Sequence, residues 1–110
     1  PRLTPDWQLG ISYNAALQLA TLALGAAGYR PGRERGHERA ILSLRETAGI
    51  PSATVDVLDA IRRKRNQNNY ERAGTTSAAE AEEFHRTVVA LRSDVLRWLK
   101  KTHRELYPHD

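Results

Sequence analysis

The chain contains no cysteine among its 110 residues, which excludes disulfides, thiolate zinc sites and a cysteine nucleophile in one step. No stretch alternates apolar and polar residues for long enough to suggest a strand, so β-structure is not expected. Internal repeats and low-complexity tracts are missing as well. The N-terminus shows no cationic stretch followed by an apolar run, and no segment reads as the ~20 apolar residues of a membrane span. A cytoplasmic protein without membrane association is therefore expected. The loop Pro31-Gly32-Arg33-Glu34-Arg35-Gly36 lacks both the strand context and the lysine of a phosphate-cradling loop. His37, His85, His103 and His109 form no pair at the spacing that sets two metal ligands on one helix face beside a carboxylate. No metal and no cofactor are expected.

What the chain does have is apolar residues at 40% and an excess of arginine. A length of 110 residues fits one domain spanning 1–110, with a real but thin core. So small a domain gains stability when association buries surface that the monomer leaves wet, and a homodimer is expected. Seventeen Lys and Arg against thirteen Asp and Glu give a net charge of +4, and fourteen of the seventeen are Arg. Arg meets phosphate through a planar fork and stacks on bases, which points to a phosphate-bearing partner. A GC-rich genome also yields an Arg- and Ala-rich composition, and composition alone does not separate the two.

Hydrophobic periodicity predicts four helices separated by three short breaks. The first runs from about Pro5 or Ile11 to Ala27, with Tyr13, Leu17, Ala20, Leu24 and Ala27 on one apolar stripe and Gly28 as its stop. Its many alanines let a neighbouring backbone approach closely. The second spans about His37 to Ala48, with Ala40, Ile41, Leu44 and Ala48 inward, and Gly49 and Pro51 end it. The third starts near Ser52 or Thr54 and turns Val55, Leu58 and Ile61 inward. Ser77-Ala78-Ala79-Glu80 is a capping box opening the fourth helix, which runs to about Leu106. Its stripe is Ala81, Phe84, Val88, Leu91, Val95, Trp98 or Leu99, and Thr102. Glu80, Glu82 and Glu83 suit the positive pole of that helix, and Lys100, Lys101 and Arg104 the negative one. Short connections between amphipathic helices give an all-α fold, an up-and-down antiparallel four-helix bundle.

The segment Arg62-Arg63-Lys64-Arg65-Asn66-Gln67-Asn68-Asn69-Tyr70 is the strongest functional lead. With Arg72 it places five cations within eleven positions, interleaved with amides and a tyrosine. Arg and Lys neutralise phosphate while Asn, Gln and Tyr donate hydrogen bonds to it, so the mixture suits a nucleic-acid backbone. A solvated helix face is the simpler account of a basic run. Position argues against it here, because the stripe of Leu58 and Ile61 continues onto Arg65, Asn68, Asn69 and Arg72. Buried or interfacial Arg and Asn require partners.

Arg65-Asn66-Gln67-Asn68-Asn69-Tyr70 resembles the Arg-Asn-x-x-x-His signature of the HEPN superfamily, with Tyr70 at the His position. Tyr13-Asn14-Ala15-Ala16 through Gly28-Tyr29-Arg30, then Gly36-His37 and the capped final helix, are similar to a bacterial branch in which Tyr closes the motif. The resemblance covers nearly the whole chain in the order and spacing of its elements. It implies a helical bundle, usually dimeric with the motifs of two subunits facing each other. It also implies, in many members, a further helix ahead of the one counted first here, where the chain begins at Pro1.

Many HEPN proteins are metal-independent ribonucleases of toxin, defence or RNA-processing systems. In that chemistry His acts on the ribose hydroxyl and Arg stabilises the phosphate charge. Carried over by position, Arg65 is the phosphate group and Asn66 an orienting residue. A phenol with a pKa near ~10 is a poor base at neutral pH, and losing a general base typically slows a reaction about 10²–10⁴-fold. The resemblance therefore implies binding without efficient cleavage, with RNA or another phosphate-rich ligand held by Arg62, Arg65, Asn66, Asn69 and Tyr70. Two alternatives stand beside it. One is a weak ribonuclease with Arg65 and Tyr70 as its catalytic residues. The other is a pure interaction module, such as the partner of a nucleotidyltransferase or an antitoxin.

Overall fold

Thr4 starts the first helix: its hydroxyl accepts from the Trp7 N–H at 3.2 Å, and Pro5 follows where a missing N–H does no harm. The computed structural model of the chain describes residues 4–29, 36–67 and 76–106, and for Asn66, Gln67 and Leu106 the backbone alone. Helix α1 spans Pro5–Ala26. It ends as the sequence predicts, with Gly28 at φ +93°. Gly28 N–H donates to the Gly25 carbonyl and Tyr29 N–H to that of Leu24, both at 3.0 Å, which satisfies carbonyls the helix leaves open. The buried residues of α1 are Leu9, Ser12, Tyr13, Ala16, Ala20, Ala23 and Leu24. The stripe is thus rotated from the expected one, and Leu17 is only partly buried.

Helix α2 spans Gly36–Leu42, shorter than the sequence suggests, and tightens into a 3₁₀ turn over Ser43–Arg45. Hydroxyls explain the early end. Ser43 donates to the Ala40 carbonyl at 2.8 Å and Thr47 to that of Ser43 at 3.1 Å, which turns the chain instead of extending the helix. Gly49 then takes φ +67°, and the Ile50 N–H returns to the Leu44 carbonyl at 3.1 Å.

Helix α3 spans Ser52–Gln67, its first bonds accepted by the Pro51 carbonyl. Helix α4 spans Ala78–Thr102 and carries the expected capping box in full, Ser77 Oγ accepting from the Glu80 N–H and Glu80 Oε1 from the Ser77 N–H, both at 3.0 Å. It buries Ala81, Phe84, Val88, Leu91, Val95 and Leu99, so Leu99 takes the position left open between it and Trp98. Helix α4 stops at Thr102 because His103 leaves helical geometry and sets its ring edge-on to Trp98, with centroids 4.9 Å apart.

The described residues are all-helical, with four α-helices. Helix α1 is the hub: α4 packs chiefly on it, and α2 and α3 pack on it as well. Ala16, Ala20 and Ala23 are fully buried, and their small side chains permit the close approach. Helix α1 differs from expectation in a second respect. By length and composition it is apolar enough to cross a membrane, with 39% of its most apolar window buried inside the fold. Its outer side is also apolar, with Trp7, Ile11 and Leu22 exposed.

Candidate nucleic-acid interface at the end of α3

The last turns of α3 present Arg62, Arg63, Lys64 and Arg65 in succession, and successive residues on a helix point in different directions. Their fates diverge accordingly. Arg62 turns inward, its side chain 12% exposed, and donates to Asp59 Oδ1 at 2.8 Å and to Glu38 Oε2 of α2 at 3.3 Å. Arg63 meets the other oxygen of Asp59 at 3.6 Å. Lys64 reaches Glu80 Oε2 at the start of α4, also at 3.6 Å. Arg65 has no carboxylate among the described residues; its guanidinium lies over the Tyr13 ring, 5.1 Å from the centroid. Three cations are matched internally, and the fourth is held by an aromatic face that leaves its charge intact.

Two features of α1 make that placement. Tyr13 is 5% exposed and offers a fixed ring. Gly10, one turn before it, leaves the room: a Cβ built there would stand 3.0 Å from Arg65 Nη1. Burial pushes the Tyr13 phenol above its ordinary pKa, while Arg62 and Arg65 pull it down and Asp59 adds to the rise. The hydroxyl therefore stays protonated at neutral pH and cannot serve as a base. Asp6, Trp7, Gly10, Ile11, Asn14 and Arg65 enclose an open hollow of about 260 Å³.

At the other side of the motif, Glu80 links two structures, capping α4 through Ser77 and pairing with Lys64 of α3. The Ser77 backbone hydrogen bond first, and then the Lys64 charge, hold its carboxyl below the usual range. The end of α3 and the start of α4 are thus joined by an ion pair.

The sequence-predicted residues fare differently. Arg65 is exposed rather than inward, although its guanidinium lies against Tyr13 and Gly10 of α1. Arg62 is the inward one, and it is neutralised by protein carboxylates. Asn66 lies in the last turn of α3. Asn69 and Tyr70 lie outside the described residues, as do Asn68 and Arg72.

Sequence reasoning missed Trp7, Gly10, Tyr13 and Asn14 as neighbours of Arg65. Gly10 was the available signal, since a glycine inside a helix costs about 1 kcal/mol and usually has a packing reason. Also missed was the contact of Ser12 Oγ with His85 Nδ1 at 3.5 Å, which joins α1 to α4 at the limit of hydrogen-bond range. Among the described residues, no group of three His, Asp or Glu could hold a metal ion. Comparison of the chain with protein-family models, with curated proteins and with solved structures finds no match.

Proposed function

We propose that the chain is a cytoplasmic, dimeric HEPN-type domain, an up-and-down antiparallel bundle, that binds RNA through the end of α3 without cleaving it efficiently. The observation that carries this is the partnering of the four consecutive cations: Arg62, Arg63 and Lys64 each meet a carboxylate, and Arg65 meets none among the described residues. An exposed guanidinium held by a ring, with no ion pair among the described residues although Asp6 lines the same hollow, is suited to a phosphate, which it contacts through a planar fork. Asn66, Asn69 and Tyr70 follow it in the motif and supply further donors in this proposal. Arg62 acts through its ion pairs as a positioning residue for α3.

The dimer draws support from an apolar groove of about 390 Å³ between α1 and α4, lined among others by Ile11, Leu19, Leu22, Val88 and Val89. Ile11 and Val89 are each 51% exposed, more than a polar surface needs to leave open. The same groove would serve a different protein partner if the domain is an interaction module.

The test is salt-titrated RNA binding and cleavage by the wild type beside Arg65→Ala and Tyr70→Phe. Binding with a steep salt slope that Arg65→Ala flattens supports the proposal. Cleavage abolished by Tyr70→Phe would establish the weak ribonuclease instead. No binding at all moves the basic helix to a protein interface.

A further inference from the structure

Among the described residues Trp7 is the most exposed large apolar side chain, at 66%, and it sits on the rim of the hollow that holds Arg65. Trp7, Gly10, Ile11 and Asn14 follow at steps of three and four, so they share one face of α1. Among the described residues no other ring and no cation meets the Trp7 indole. The guanidinium is drawn instead into the space left by Gly10, against Tyr13. The result is a bare aromatic plane beside an exposed cation, with the Asn14 amide and the Asp6 carboxylate on the same rim. Trp7 is also absent from the lining of the groove between α1 and α4, the surface assigned above to a protein partner, although Ile11 lines both.

Each part of this arrangement narrows the ligand. Arg65 repels cations, and a bare phosphate has no use for Trp7 and Ile11. A paired duplex hides its base faces in the stack, and A-form RNA offers shape and phosphates only. An unpaired nucleotide supplies both a planar face and a phosphate. At about 260 Å³ the hollow falls below the roughly 300–1,000 Å³ of pockets that engulf drug-sized ligands, which suits a single base laid on an open shelf.

We infer that Trp7 is a stacking platform for one unpaired base of a single-stranded RNA whose adjoining phosphate rests on Arg65, with Asn14 facing the base edge. The inference rests on the RNA-binding proposal and specifies its substrate as single-stranded. Base–aromatic stacking corresponds to about a five- to hundredfold gain in affinity per base.

The experiment uses the full chain carrying Trp98→Phe, so that Trp7 is the sole tryptophan and its fluorescence the reporter. Its ligands are oligoadenylate of about ten nucleotides, within the usual site sizes, and an abasic ribose-phosphate oligomer of equal length. Oligoadenylate should quench Trp7 and bind about five- to hundredfold more tightly than the abasic oligomer, which should bind without quenching. Trp7→Ala should bring oligoadenylate down to the abasic level with unchanged sedimentation, and Trp7→Phe should retain most of the affinity. Equal binding of the two oligomers, or full binding by Trp7→Ala, overturns the shelf. The proposal for Arg65 survives that result if Arg65→Ala still flattens the salt dependence, whereas failure of both oligomers to bind overturns both. If the affinity lost in Trp7→Ala comes with dissociation of the dimer, Trp7 belongs to the protein interface and the shelf is again overturned.

Discussion

The guanidinium carbon of Arg65 lies 5.1 Å from the centre of the Tyr13 ring, tying the last turn of α3 to the middle of α1. An ion pair would hold the cation equally well but would cancel it. A ring face holds it at about 0.5–1 kcal/mol for an exposed site and leaves its charge available. The contrast with Arg62, three residues earlier and held by two carboxylates, sets up the first prediction.

Arg65→Ala should lower stability by about 0.5–1 kcal/mol and reduce the slope of log K against log salt for single-stranded RNA by about 0.7, the effect of one lost phosphate contact. Arg62→Ala should do the reverse, with a stability loss of about 1.5–3 kcal/mol from broken charged hydrogen bonds and an unchanged salt slope. Denaturant titration beside a salt series decides the matter. If the slope responds to Arg62 instead, the phosphate contact has been assigned to the wrong arginine.

Gly10→Ala should separate stability from binding. Alanine inside a helix gains about 0.8–1 kcal/mol over glycine, so the thermal midpoint should rise. The new Cβ would stand 3.0 Å from Arg65 Nη1, and the flexible guanidinium must give by a few tenths of an ångström, which disturbs its seat over Tyr13. RNA affinity should therefore fall as the midpoint rises. A variant that gains both properties would show that the placement of Arg65 over Tyr13 has no part in binding.

Tyr13 predicts the alkaline behaviour. Burial raises its pKa above the ordinary 10.0, so the fold favours the protonated phenol. Stability from this group is complete below about pH 10 and is lost as pH rises through the folded value. In an ultraviolet titration Tyr13 should ionise later than a free tyrosine, and Tyr13→Phe should remove that late transition and soften the alkaline loss of stability.

Glu80 predicts the acid side. Its carboxyl is held below the ordinary 4.5 by the Ser77 backbone and by Lys64, so its contribution is present above that value and lost as pH falls through the folded one. Glu80→Gln keeps an N-cap acceptor but removes the charge, and should flatten this part of the acid unfolding curve. Ser77→Ala should lower stability by about 0.5–2 kcal/mol at neutral pH, read from the urea midpoint.

The elements differ in how much of them could be read in advance. Helix α4 was legible from its cap to Leu99, because its polar residues leave one apolar stripe and Ser77 and Glu80 mark its start within four residues of sequence, but it ends at Thr102 rather than near Leu106. Helix α1 was legible as a helix but not in its orientation. Apolar residues surround it, so the true inward row of Tyr13, Ala16, Ala20 and Ala23 had no polar contrast to define it. The end of α2 depended on hydroxyl bonds from Ser43 and Thr47 that no periodicity encodes. The basic run was plain, yet which arginine is spent inside the fold turns on Glu38, twenty-four residues distant. Trp7 and Asn14 beside Arg65 likewise need the packing of α1 on α3, which spacing within either helix cannot supply.

The dependence of α4 on α1 has a consequence for synthesis. Helix α1 leaves the ribosome before α4, apolar over much of its surface, while the helix that packs most on it is completed only at Thr102. At ~5–20 residues per second, the 76 residues from Ala26 to Thr102 take roughly 4–15 s to add. During that interval the nascent chain carries a sticky, unshielded segment, and its yield in a cell depends on how well holdase chaperones guard α1 until α4 arrives.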